Sequence, residues 1–446
     1  MKKNDVFTLK IEDLNNLGYG VGHVNGKTVF VSGAVDGDEV RCRIIKDCGS
    51  YFIAKTEQIT DASPYRCEPE CKVCSKCGGC AYAEISYEHE LDIKRGTVVS
   101  AFRKAGMAEV DIRPVYSDGV TKHYRNKAII PIGYSEKDGF YFGFYAPKTH
   151  RIVPVSECML HKSFFNDVAK KITEKMNVFP DIFLTEDDRP VIKSLYLRSA
   201  ENGDTELTLV LEAEWFDPIT SIMATVAEYF PQIKTVYTNL NPGDISTVLS
   251  QVFRCIYGEG HICDTLCGAK LKITPASFYQ VNKNMAEALY RKGAELLELK
   301  AEESVCDLYC GIGSIGLSVF GDHRLVGIEV VESAVECAKE NAALNGVEAE
   351  YYCGDAGEVI ERMGLSFDAV VLDPPRKGCT PELINYLCNK KKIRKILYIS
   401  CNPATLARDA KLMTSLGYEM SSVYPYDLFP RTGHVECVTV FKFKNA

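Results

Sequence analysis

One cysteine and one glutamate near the C-terminus are the residues best placed to do chemistry. Cys401 stands in the tetrapeptide SCNP (400–403) after an apolar run, and Glu436 follows it by 35 residues in an otherwise apolar stretch. Both adjoin predicted strand ends, downstream of Asp373-Pro374-Pro375. A thiolate is a soft nucleophile and also a leaving group, and a carboxylate is a base. The pair therefore predicts covalent chemistry on a ring that needs both groups.

Uracil is a ring with this requirement, because its carbonyl groups make C5 poorly nucleophilic. A thiolate that adds to C6 turns C5 into an enolate carbon, which can attack a methyl sulfonium. A base must then take the C5 proton so that the thiolate can leave. A cysteine at the end of an apolar run, taken alone, is more often a buried structural residue than a nucleophile. Asn402-Pro403 beside it, and Glu436 on an apolar strand, favour the catalytic interpretation.

A glycine-rich loop predicts where a nucleotide-like cofactor binds. Residues 307–316 (DLYCGIGSIG) follow an apolar strand and open a helix, and the glycines permit close backbone approach. Glu329 ends the next strand, where it can accept hydrogen bonds from both hydroxyls of a ribose. The loop alone fits a dinucleotide or S-adenosylmethionine, and Asp307, Tyr309 and Asp373 favour the latter. The structural alternative for Glu329 is capping of a helix.

Size and composition are those of a globular protein with two or three domains. The chain has 446 residues, of which 46% are hydrophobic and 25% charged, with a net charge of −8. This charge argues against nucleic acid for the chain as a whole, although local patches decide such binding. With no apolar signal core or spanning stretch, we expect a cytoplasmic protein whose 19 cysteines are mostly buried small hydrophobes rather than disulfides.

Three regions follow from the pattern along the chain. Residues 1–60 are predicted as short strands punctuated by glycines, typical of a nucleic-acid-binding barrel, with a generic β-domain as the alternative. Residues 61–275 hold a cysteine-rich stretch, a helix from about 86 to 104, and mixed strands and helices. Residues 276–446 alternate strands and helices, which predicts a parallel, doubly wound sheet with a final antiparallel edge strand at 435–443.

Five segments carry a resemblance to a known family: SFYQVN (277–282), DLYCGIG (307–313), VLDPPRKG (371–378), SCNPATLARD (400–409) and LFPRTGHVECV (428–438). They resemble the RNA 5-methyluridine methyltransferases, and residues 1–60 resemble the TRAM domain of many members. The fold class implied is α/β: a Rossmann-like methyltransferase domain, an OB-like N-terminal β-barrel and an α+β central domain.

The resemblance also implies roles for individual residues. Cys401 is the implied nucleophile and Glu436 the implied proton acceptor. Asp355 is a further candidate, for an adenine contact, whereas Ser314 stands where some relatives have asparagine, so that contact is not carried over. The implied contacts to S-adenosylmethionine are Gln280, Tyr309, Glu329 and Asp373.

Four cysteines resemble the 4Fe-4S ligand set of the ribosomal-RNA branch of this family: Cys71, Cys77, Cys80 and Cys158. Four thiolates also suit zinc, which is the alternative metal. Cys67 and Cys74 depart from the simple pattern. Because Cys74 completes an x2 spacing, residues 71–80 alone supply four cysteines, which leaves Cys158 free in that alternative.

The sequence therefore predicts a methyltransferase that makes 5-methyluridine in RNA, with 23S ribosomal RNA as partner, no DNA or membrane partner, and a monomeric state. RNA contacts are expected from the barrel, from basic and aromatic residues around 124–151 and from the basic run 390–395, and the target base must leave its stack. A transfer-RNA enzyme is the nearest alternative. A 5-methylcytidine enzyme lacks support because Arg376 stands where such enzymes have an extra cysteine. A non-catalytic iron–sulfur RNA-binding factor would not need both Cys401 and Glu436.

Overall fold

The N-terminal region forms one six-stranded sheet. The computed structural model describes residues 1–214, 217–243, 248–364 and 366–444. The sheet order is β1-β5-β6-β4-β3-β2. Alternate residues of the long strand at 39–47 are fully buried, including Val40, Cys42 and Ile44, so the sheet has one apolar face and one exposed face. Its strands are β1 (Val6–Lys10), β2 (Asp13–Leu14), β3 (Tyr19–Val24), β4 (Lys27–Ser32), β5 (Glu39–Asp47) and β6 (Tyr51–Asp61).

A long helix separates this sheet from the next one. Helix α1 (Tyr87–Lys104) confirms the helix predicted at 86–104. Ser86 caps its first turn, because the side chain accepts a hydrogen bond from the backbone amide of His89. Residues 66–86, which hold five of the clustered cysteines, form turns and bends between the barrel and this helix.

The central region is a seven-stranded sheet with two helices on one face. The sheet order is β13-β12-β11-β10-β7-β8-β9. Leu195, Leu197, Leu207 and Leu209 point from the sheet into a core shared with the two helices. The elements are β7 (Lys127–Ser135), β8 (Gly139–Tyr145), β9 (Ile152–Pro154), α2 (Phe164–Met176), β10 (Ile192–Ser199), β11 (Thr205–Leu211), α3 (Ile219–Tyr229), β12 (Ile233–Leu240) and β13 (Phe253–Tyr257).

A hairpin and a helix lead into the C-terminal sheet, whose strands and helices alternate as predicted. The hairpin is β14 (Ile262–Leu266) with β15 (Ala269–Ile273), and the helix is α4 (Lys283–Leu297). The elements that follow are β16 (Val305–Leu308), α5 (Ser314–Val319), β17 (Leu325–Glu329), α6 (Glu332–Asn345), β18 (Ala349–Cys353), α7 (Ala356–Met363), β19 (Ala369–Leu372), α8 (Pro381–Asn385), β20 (Lys395–Ser400), α9 (Pro403–Ser415), β21 (Tyr418–Met420), β22 (Tyr424–Tyr426) and β23 (Glu436–Phe443).

The C-terminal sheet is doubly wound. Strands β16 to β20 pair in parallel in the order β18-β17-β16-β19-β20, so the winding direction reverses between β16 and β19. Val371 packs into the core on one face, and its neighbours Val370 and Leu372 pack into the core on the other. Burying such a side chain contributes about 1.5–3 kcal/mol. Ligands of such sheets bind at the carboxyl ends of the strands, beside the reversal.

The last strand is antiparallel, as predicted, but its predicted edge position is wrong. Strand β23 pairs with β20 on one side, and β21 and β22 both pair on its other side. These two strands have three residues each, which is too short to show in the sequence pattern. They cover backbone groups that an edge strand would leave unpaired.

Helix α1 packs against the C-terminal sheet, although it precedes the central sheet in the chain. Val98 and Phe102 lie in the same buried core as Leu406 and Met413 of α9. Helix α1 belongs to the predicted central segment, residues 61–275, yet it completes a core of the C-terminal segment. The domain limits at 60 and 275 therefore stay a prediction. Within the described ranges, no helix combines the length and apolar character that crossing a bilayer requires.

Candidate active site

The predicted catalytic and cofactor residues line one crevice at the carboxyl ends of the C-terminal strands. The crevice has a volume of about 920 Å³. Each residue lies at the end of a strand or in a loop that follows a strand or precedes a helix, so the fold itself brings them together. The predicted residues that line it are Gln280, Tyr309, Glu329, Asp355, Asp373, Cys401 and Glu436.

The glycine-rich loop is held in a strained shape at one end of the crevice. Asp307 accepts a hydrogen bond from the backbone amide of Gly316 at 3.0 Å, and burial raises its pKa to about 8. Its other carboxylate oxygen is buried without a hydrogen-bond partner in the protein. Tyr309 has a φ of +67°, which is costly for a bulky residue and is found mainly at functional sites. Gly313 has a φ of +80°, and a side chain there would meet the Tyr351 hydroxyl at 2.9 Å.

Glu329 is fixed at the mouth of this loop. Its carboxylate accepts hydrogen bonds from the backbone amides of Gly311 at 3.1 Å, Val330 at 2.8 Å and Val331 at 3.0 Å. Glu329 therefore also helps to cap a helix, which is the alternative role that its sequence position allows, because the Val331 amide that it accepts from belongs to the N-cap residue of α6. The same carboxylate lines the crevice at the strand end where a ribose would lie.

Cys401 lies at the junction of β20 and α9. Asn402 caps α9, since its side chain accepts from the amide of Ala404 at 3.1 Å and donates to the carbonyl of Arg376 at 2.9 Å. Pro403 occupies the first helical position, where its missing N–H costs nothing. Asn402 therefore ties the loop that carries the thiol to the loop that carries Asp373.

Glu436 lies close to Cys401 at the end of the β20–β23 ladder. The last pair of that ladder is Ser400 with Cys437, so Cys401 follows one member of the pair and Glu436 precedes the other. The charge of Glu436 raises the pKa of Cys401, as expected for close neighbours. Glu436 is 5% exposed, whereas Cys401 is only half-buried. The thiol is thus open to a ligand while the carboxylate forms the wall behind it.

Burial controls the proton affinities in the crevice. It raises the pKa of Glu436 to about 8, with repulsion from Asp373 adding to the effect and Arg376 opposing it. Burial also raises the pKa of Asp373 to about 7. The pKa of Cys401 rises to about 11 through burial and the charges of Glu436 and Asp373, against the attraction of Arg376.

The position of Cys401 at the start of α9 does not make it a thiolate in the free protein. A helix N-terminus stabilises an anion by about 0.3–2 kcal/mol. Burial and two neighbouring carboxylates outweigh that effect here. At neutral pH the resting side chain is a thiol, and a base has to take its proton before it can attack.

A second cavity reaches Cys401 from the side of the barrel. This groove, of about 720 Å³, lies between the loop at 15–16, helix α1 and the segment 433–435. Cys401, Arg376 and His434 line both the groove and the crevice. The thiol is therefore accessible from two directions, one shared with the glycine-rich loop and one facing the barrel.

The central sheet positions Gln280. Asn126 donates from its side chain to the carbonyl of Gln280 at 2.9 Å, and its backbone amide donates to the carbonyl of Val281 at 2.8 Å. Buried Arg198 donates to the carbonyls of Thr274 and Ser277, each at 2.9 Å. The segment that carries Gln280 is thus held against the central sheet.

Sequence reasoning missed several residues of the crevice. Phe278 is 64% exposed and lines it, and its position inside the conspicuous segment SFYQVN could have identified it. Arg376 was noted only as a missing cysteine, yet its charge lowers the proton affinity of both Cys401 and Glu436. Nothing in the pattern pointed to His434, whose pKa is lowered by burial and by nearby Arg376.

The cysteine-rich segment forms a separate pocket, which we call the cysteine pocket. Cys71, Cys77, Cys80 and the distant Cys158 line it together, as do Cys67 and Cys74. The amide of Gly78 donates to the carbonyl of Tyr145 and that of Cys158 to the Asn166 side chain, which holds the two segments in place. Among the residues that the structure describes, no three His, Cys, Asp or Glu side chains converge closely enough for a single metal ion.

The donor set nevertheless has the chemistry that a thiolate-bound metal group needs, because six cysteines line this one pocket. Burial raises the pKa of the Cys80 thiol, and the charges of Cys158 and Cys77 add to it. Arg125 and Lys127 line both this pocket and the crevice.

Family comparisons agree with the fold and the crevice. Residues 2–55 match the TRAM domain, residues 291–384 match the methyltransferase small domain, and residues 357–444 match the tRNA (uracil-5-)-methyltransferase family. The doubly wound sheet, its glycine-rich loop and these matches define an S-adenosylmethionine-dependent methyltransferase with an N-terminal TRAM domain.

Full-length relatives narrow the class further. An RNA methyltransferase of Halalkalibacterium halodurans is 34% identical over 453 residues, spanning 100% of this chain and 98% of the relative, and one of Clostridium tetani is 34% identical over 452 residues, spanning 99% and 97%. The structure of Pyrococcus abyssi tRNA (uracil-54, C5)-methyltransferase with S-adenosyl-L-homocysteine superposes with a TM-score of 0.78 at 26% identity, covering 98% of this chain and 100% of that one. The chain belongs to the RNA (uracil-5) methyltransferase family, which confirms the predicted fold class and enzyme class.

Proposed function

We propose that Cys401 and Glu436 carry out uracil-C5 methylation in this crevice. The observation that carries the proposal is that both residues line one crevice, directly beyond the last pair of the β20–β23 ladder. The sulfur of Cys401 bonds to C6 of the uracil, and C5 takes the methyl group from S-adenosylmethionine, leaving S-adenosylhomocysteine. Glu436 then accepts the C5 proton, and the bond between sulfur and C6 breaks to release 5-methyluridine.

Asp373 is the residue to which we assign the thiol proton. The pKa of Cys401 is about 11, so a base must ionise it before attack. Both neighbouring carboxylates face the thiol, but Glu436 must remain free for the C5 proton. Asp373, with a pKa of about 7, is ionised in most molecules just above neutral pH.

S-Adenosylmethionine supplies an electrophilic methyl group when it is bound. The residues at the glycine-rich end of the crevice suit it: Glu329 is fixed at a strand end for the ribose hydroxyls, and Tyr309 borders the same space. Gln280 and Asp373 line the same crevice as Cys401. Asp355 has one carboxylate oxygen committed to the amides of Gly357 and Glu358, which leaves the other for the adenine.

We propose 23S ribosomal RNA as the substrate and a 4Fe-4S cluster as the occupant of the cysteine pocket. Support for both comes from the four cysteines, whose arrangement resembles the ribosomal-RNA branch. Cys71, Cys77, Cys80 and Cys158 would be the ligands. The cluster would tie residues 66–86 to the central sheet, and zinc is the alternative metal.

Transfer RNA is a second candidate substrate. The Pyrococcus abyssi enzyme, named for uracil 54 of transfer RNA, matches 98% of this chain and is itself covered completely. A domain arrangement of this kind therefore does not by itself separate ribosomal from transfer RNA. Methylation of 23S ribosomal RNA and of bulk transfer RNA, each purified from cells that lack the enzyme, separates the two candidates.

The test of the chemistry is the fate of the covalent intermediate. Glu436→Gln keeps the shape of the side chain but cannot accept the C5 proton, so a protein–RNA adduct should accumulate when S-adenosylmethionine is present. Cys401→Ala should form no adduct. A Glu436→Gln protein that turns over at the unaltered rate, or a Cys401→Ala protein that still methylates RNA, rejects the proposal.

A further inference from the structure

Three charged side chains lie fully buried between helix α1 and the loop that precedes Glu436. Glu90 and Asp427 are 0% exposed and Lys94 is 1% exposed. The ammonium group of Lys94 donates to Glu90 Oε1 and to Asp427 Oδ1, each at 2.7 Å, and to the carbonyl of Phe429 at 3.2 Å. We call Glu90, Lys94 and Asp427 the buried triad.

The loop that the triad holds is the connection between β22 and β23. Tyr426 and Glu436 are paired across that ladder, so residues 427–435 form a hairpin loop whose last neighbour is Glu436. Asp427 begins the loop, and its side chain also accepts from the amide of Phe429 at 3.1 Å. Glu90 accepts from the amide of Arg431 at 2.7 Å. The triad therefore fixes the first half of the hairpin loop from the side of α1.

Further hydrogen bonds tie the same loop to its surroundings. Tyr87 donates to the second oxygen of Asp427 at 2.8 Å. The Arg431 guanidinium donates to the carbonyl of Ile85 at 2.9 Å and stands 3.6 Å from Glu90. Tyr124 donates to the carbonyl of Pro430 at 3.0 Å. A loop fixed by this many directional bonds has a defined shape, not merely a buried location.

The hairpin loop contributes to the cysteine pocket, the groove and the crevice. Arg431 lines the cysteine pocket, Gly433 lines the groove, and Phe429 lines the crevice. His434 lines both the groove and the crevice, and its ring contacts the ring of Phe429 edge to face at 5.7 Å. Any shift of the loop would move side chains of the crevice and the carboxylate that follows them.

Stability alone is a poor reason to bury these charges. Replacing a buried ionic cluster with well-packed apolar residues is often neutral or stabilising, whereas a charged cluster admits fewer arrangements. Lys94 is absent from the described residues that line the crevice and the groove. Its ammonium group instead joins Glu90, in the first turn of α1, to Asp427 and the Phe429 carbonyl in the hairpin loop, which suits a positioning role.

We propose that the buried triad is a positioning device for proton removal: it sets the hairpin loop and, through the loop, the carboxylate of Glu436. This inference rests on the proposed role of Glu436 and extends it to three residues outside the crevice. Lys94 is the central positioning residue, because it alone joins both carboxylates and the loop backbone.

The proposal predicts which step slows when the triad is removed. Bond formation between Cys401 and C6, and methyl transfer to C5, depend on β20 and on the glycine-rich loop, which the triad does not contact. Loss of the C5 proton depends on Glu436. A displaced Glu436 therefore leaves the bond between sulfur and C6 intact after methyl transfer, and the covalent protein–RNA complex persists.

The experiment compares variants of the full-length enzyme with an RNA substrate and S-adenosylmethionine. Lys94→Met removes the ammonium group, and the triple variant Glu90→Gln/Lys94→Met/Asp427→Asn removes all three charges of the triad together. Each should accumulate covalent adduct on denaturing gels about tenfold above the wild-type level, with a matching fall in kcat. The KM for S-adenosylmethionine should stay within about twofold.

Two further variants calibrate the result. Lys442→Met breaks an exposed ion pair with Glu298 at 2.6 Å, on the same strand as Glu436 but at its far end, and should match the wild type. Lys94→Arg keeps the charge with a larger head group and should give an intermediate amount of adduct. If neither charge-removing variant folds, the amount of adduct that Lys94→Arg accumulates decides whether the triad positions Glu436.

The outcomes separate the inference from the proposed function. If Glu436→Gln accumulates adduct while the folded Lys94 variants remain at the wild-type level, the positioning role is rejected and the chemistry stands. If the Lys94 variants lose adduct and turnover together, with a raised KM, the triad is merely structural and the inference is overturned. If Glu436→Gln itself accumulates no adduct, the proposed function fails first.

Discussion

The crevice and the cysteine pocket both gather residues that are distant in sequence, but they do so in different ways. In the crevice, Cys401 directly follows β20 and Glu436 begins β23, and six residue pairs set the register of these two adjacent strands. In the cysteine pocket, three of the four predicted ligands lie in residues 66–86, which have turns and bends but no helix or long strand. Regular backbone positions the first set, whereas packing of a loop positions the second.

The difference indicates which site can hold its side chains in their final geometry before a ligand binds. Strand ends keep their geometry whether or not a substrate is present, because the sheet's hydrogen bonds define it. Thiols on an irregular segment gain their final geometry when a metal group binds, since metal binding and local folding are coupled. The proposed nucleophile and base accordingly lie side by side at the strand ends, while the cysteines, among the residues that the structure describes, share a cavity without converging on a single ion.

The sharpest way to break this comparison is to remove the nucleophile. Cys401→Ala should lower methyl transfer by about 10³-fold or more, since covalent catalysis is lost altogether. Transfer of labelled methyl groups to RNA measures the effect. Cys353→Ser is a matched control, because Cys353 is exposed and lies outside the crevice, and it should be unaltered. Equal losses in both variants would contradict the distinction.

Removing the ribose partner should cost less and act on binding. Glu329→Gln keeps the size of the side chain but replaces a charged acceptor, worth about 1.5–3 kcal/mol, with a neutral amide. We expect the affinity for S-adenosylmethionine to fall about 10- to 100-fold, measured by calorimetry. Glu332→Gln, on the neighbouring helix turn, is the control. An unchanged affinity would assign Glu329 to holding the loop alone.

The rate of methylation should rise with pH through the neutral range. Glu436 has a pKa of about 8, and it can accept the C5 proton only when ionised. Below that value kcat should fall about tenfold per pH unit, because Glu436 acts after methyl transfer and its ionised fraction shrinks as the pH falls. Asp373, with a pKa of about 7, steepens the fall at lower pH. A profile that is flat between pH 6 and 9 would reject Glu436 as the base.

The smallest effect on catalysis is expected from the cysteine pocket. Cys80→Ser should remove most of the iron and labile sulfide from anaerobically purified protein, yet lower methyl transfer by less than about tenfold, since the pocket supports residues 66–86 rather than the reacting atoms. Cys255→Ser, at an exposed position, is the control. Zinc in place of iron would select the alternative metal. Loss of activity equal to that of Cys401→Ala would make the two sites a single functional unit.

Much of the fold followed from the sequence because apolar runs and helices alternate regularly after residue 300. Strands β16, β17, β19 and β20 lie where those runs predicted them. The position of β23 did not follow, because its neighbours β21 and β22 are too short to leave a pattern. The packing of α1 on the C-terminal sheet is a long-range contact, which no local periodicity encodes.

The site divides in the same way. Cys401, Glu436, Glu329 and Asp373 stand at strand ends within distinctive segments, and the crevice brings them together. Their roles in catalysis and binding stay predictions. Lys94 could not be found from the sequence, since a lysine four residues after a glutamate on a helix usually marks a solvated face. Only the folded chain shows that its partner is Asp427, 333 residues away.

The pairing of Ser400 with Cys437 fixes the face of the sheet on which the Glu436 carboxylate projects, because successive side chains of a strand point to opposite faces. Adding one residue within β23 after Glu436 would turn that carboxylate to the opposite face of the sheet, away from the sulfur, although every amino acid would remain present. Lengthening the surface connection between α9 and β21 would leave the two groups face to face. The number of residues between thiol and base along the chain therefore does not matter to the chemistry. In an insertion scan, we expect the enzyme to keep its activity with an insertion between α9 and β21 and to lose it with an insertion in β23.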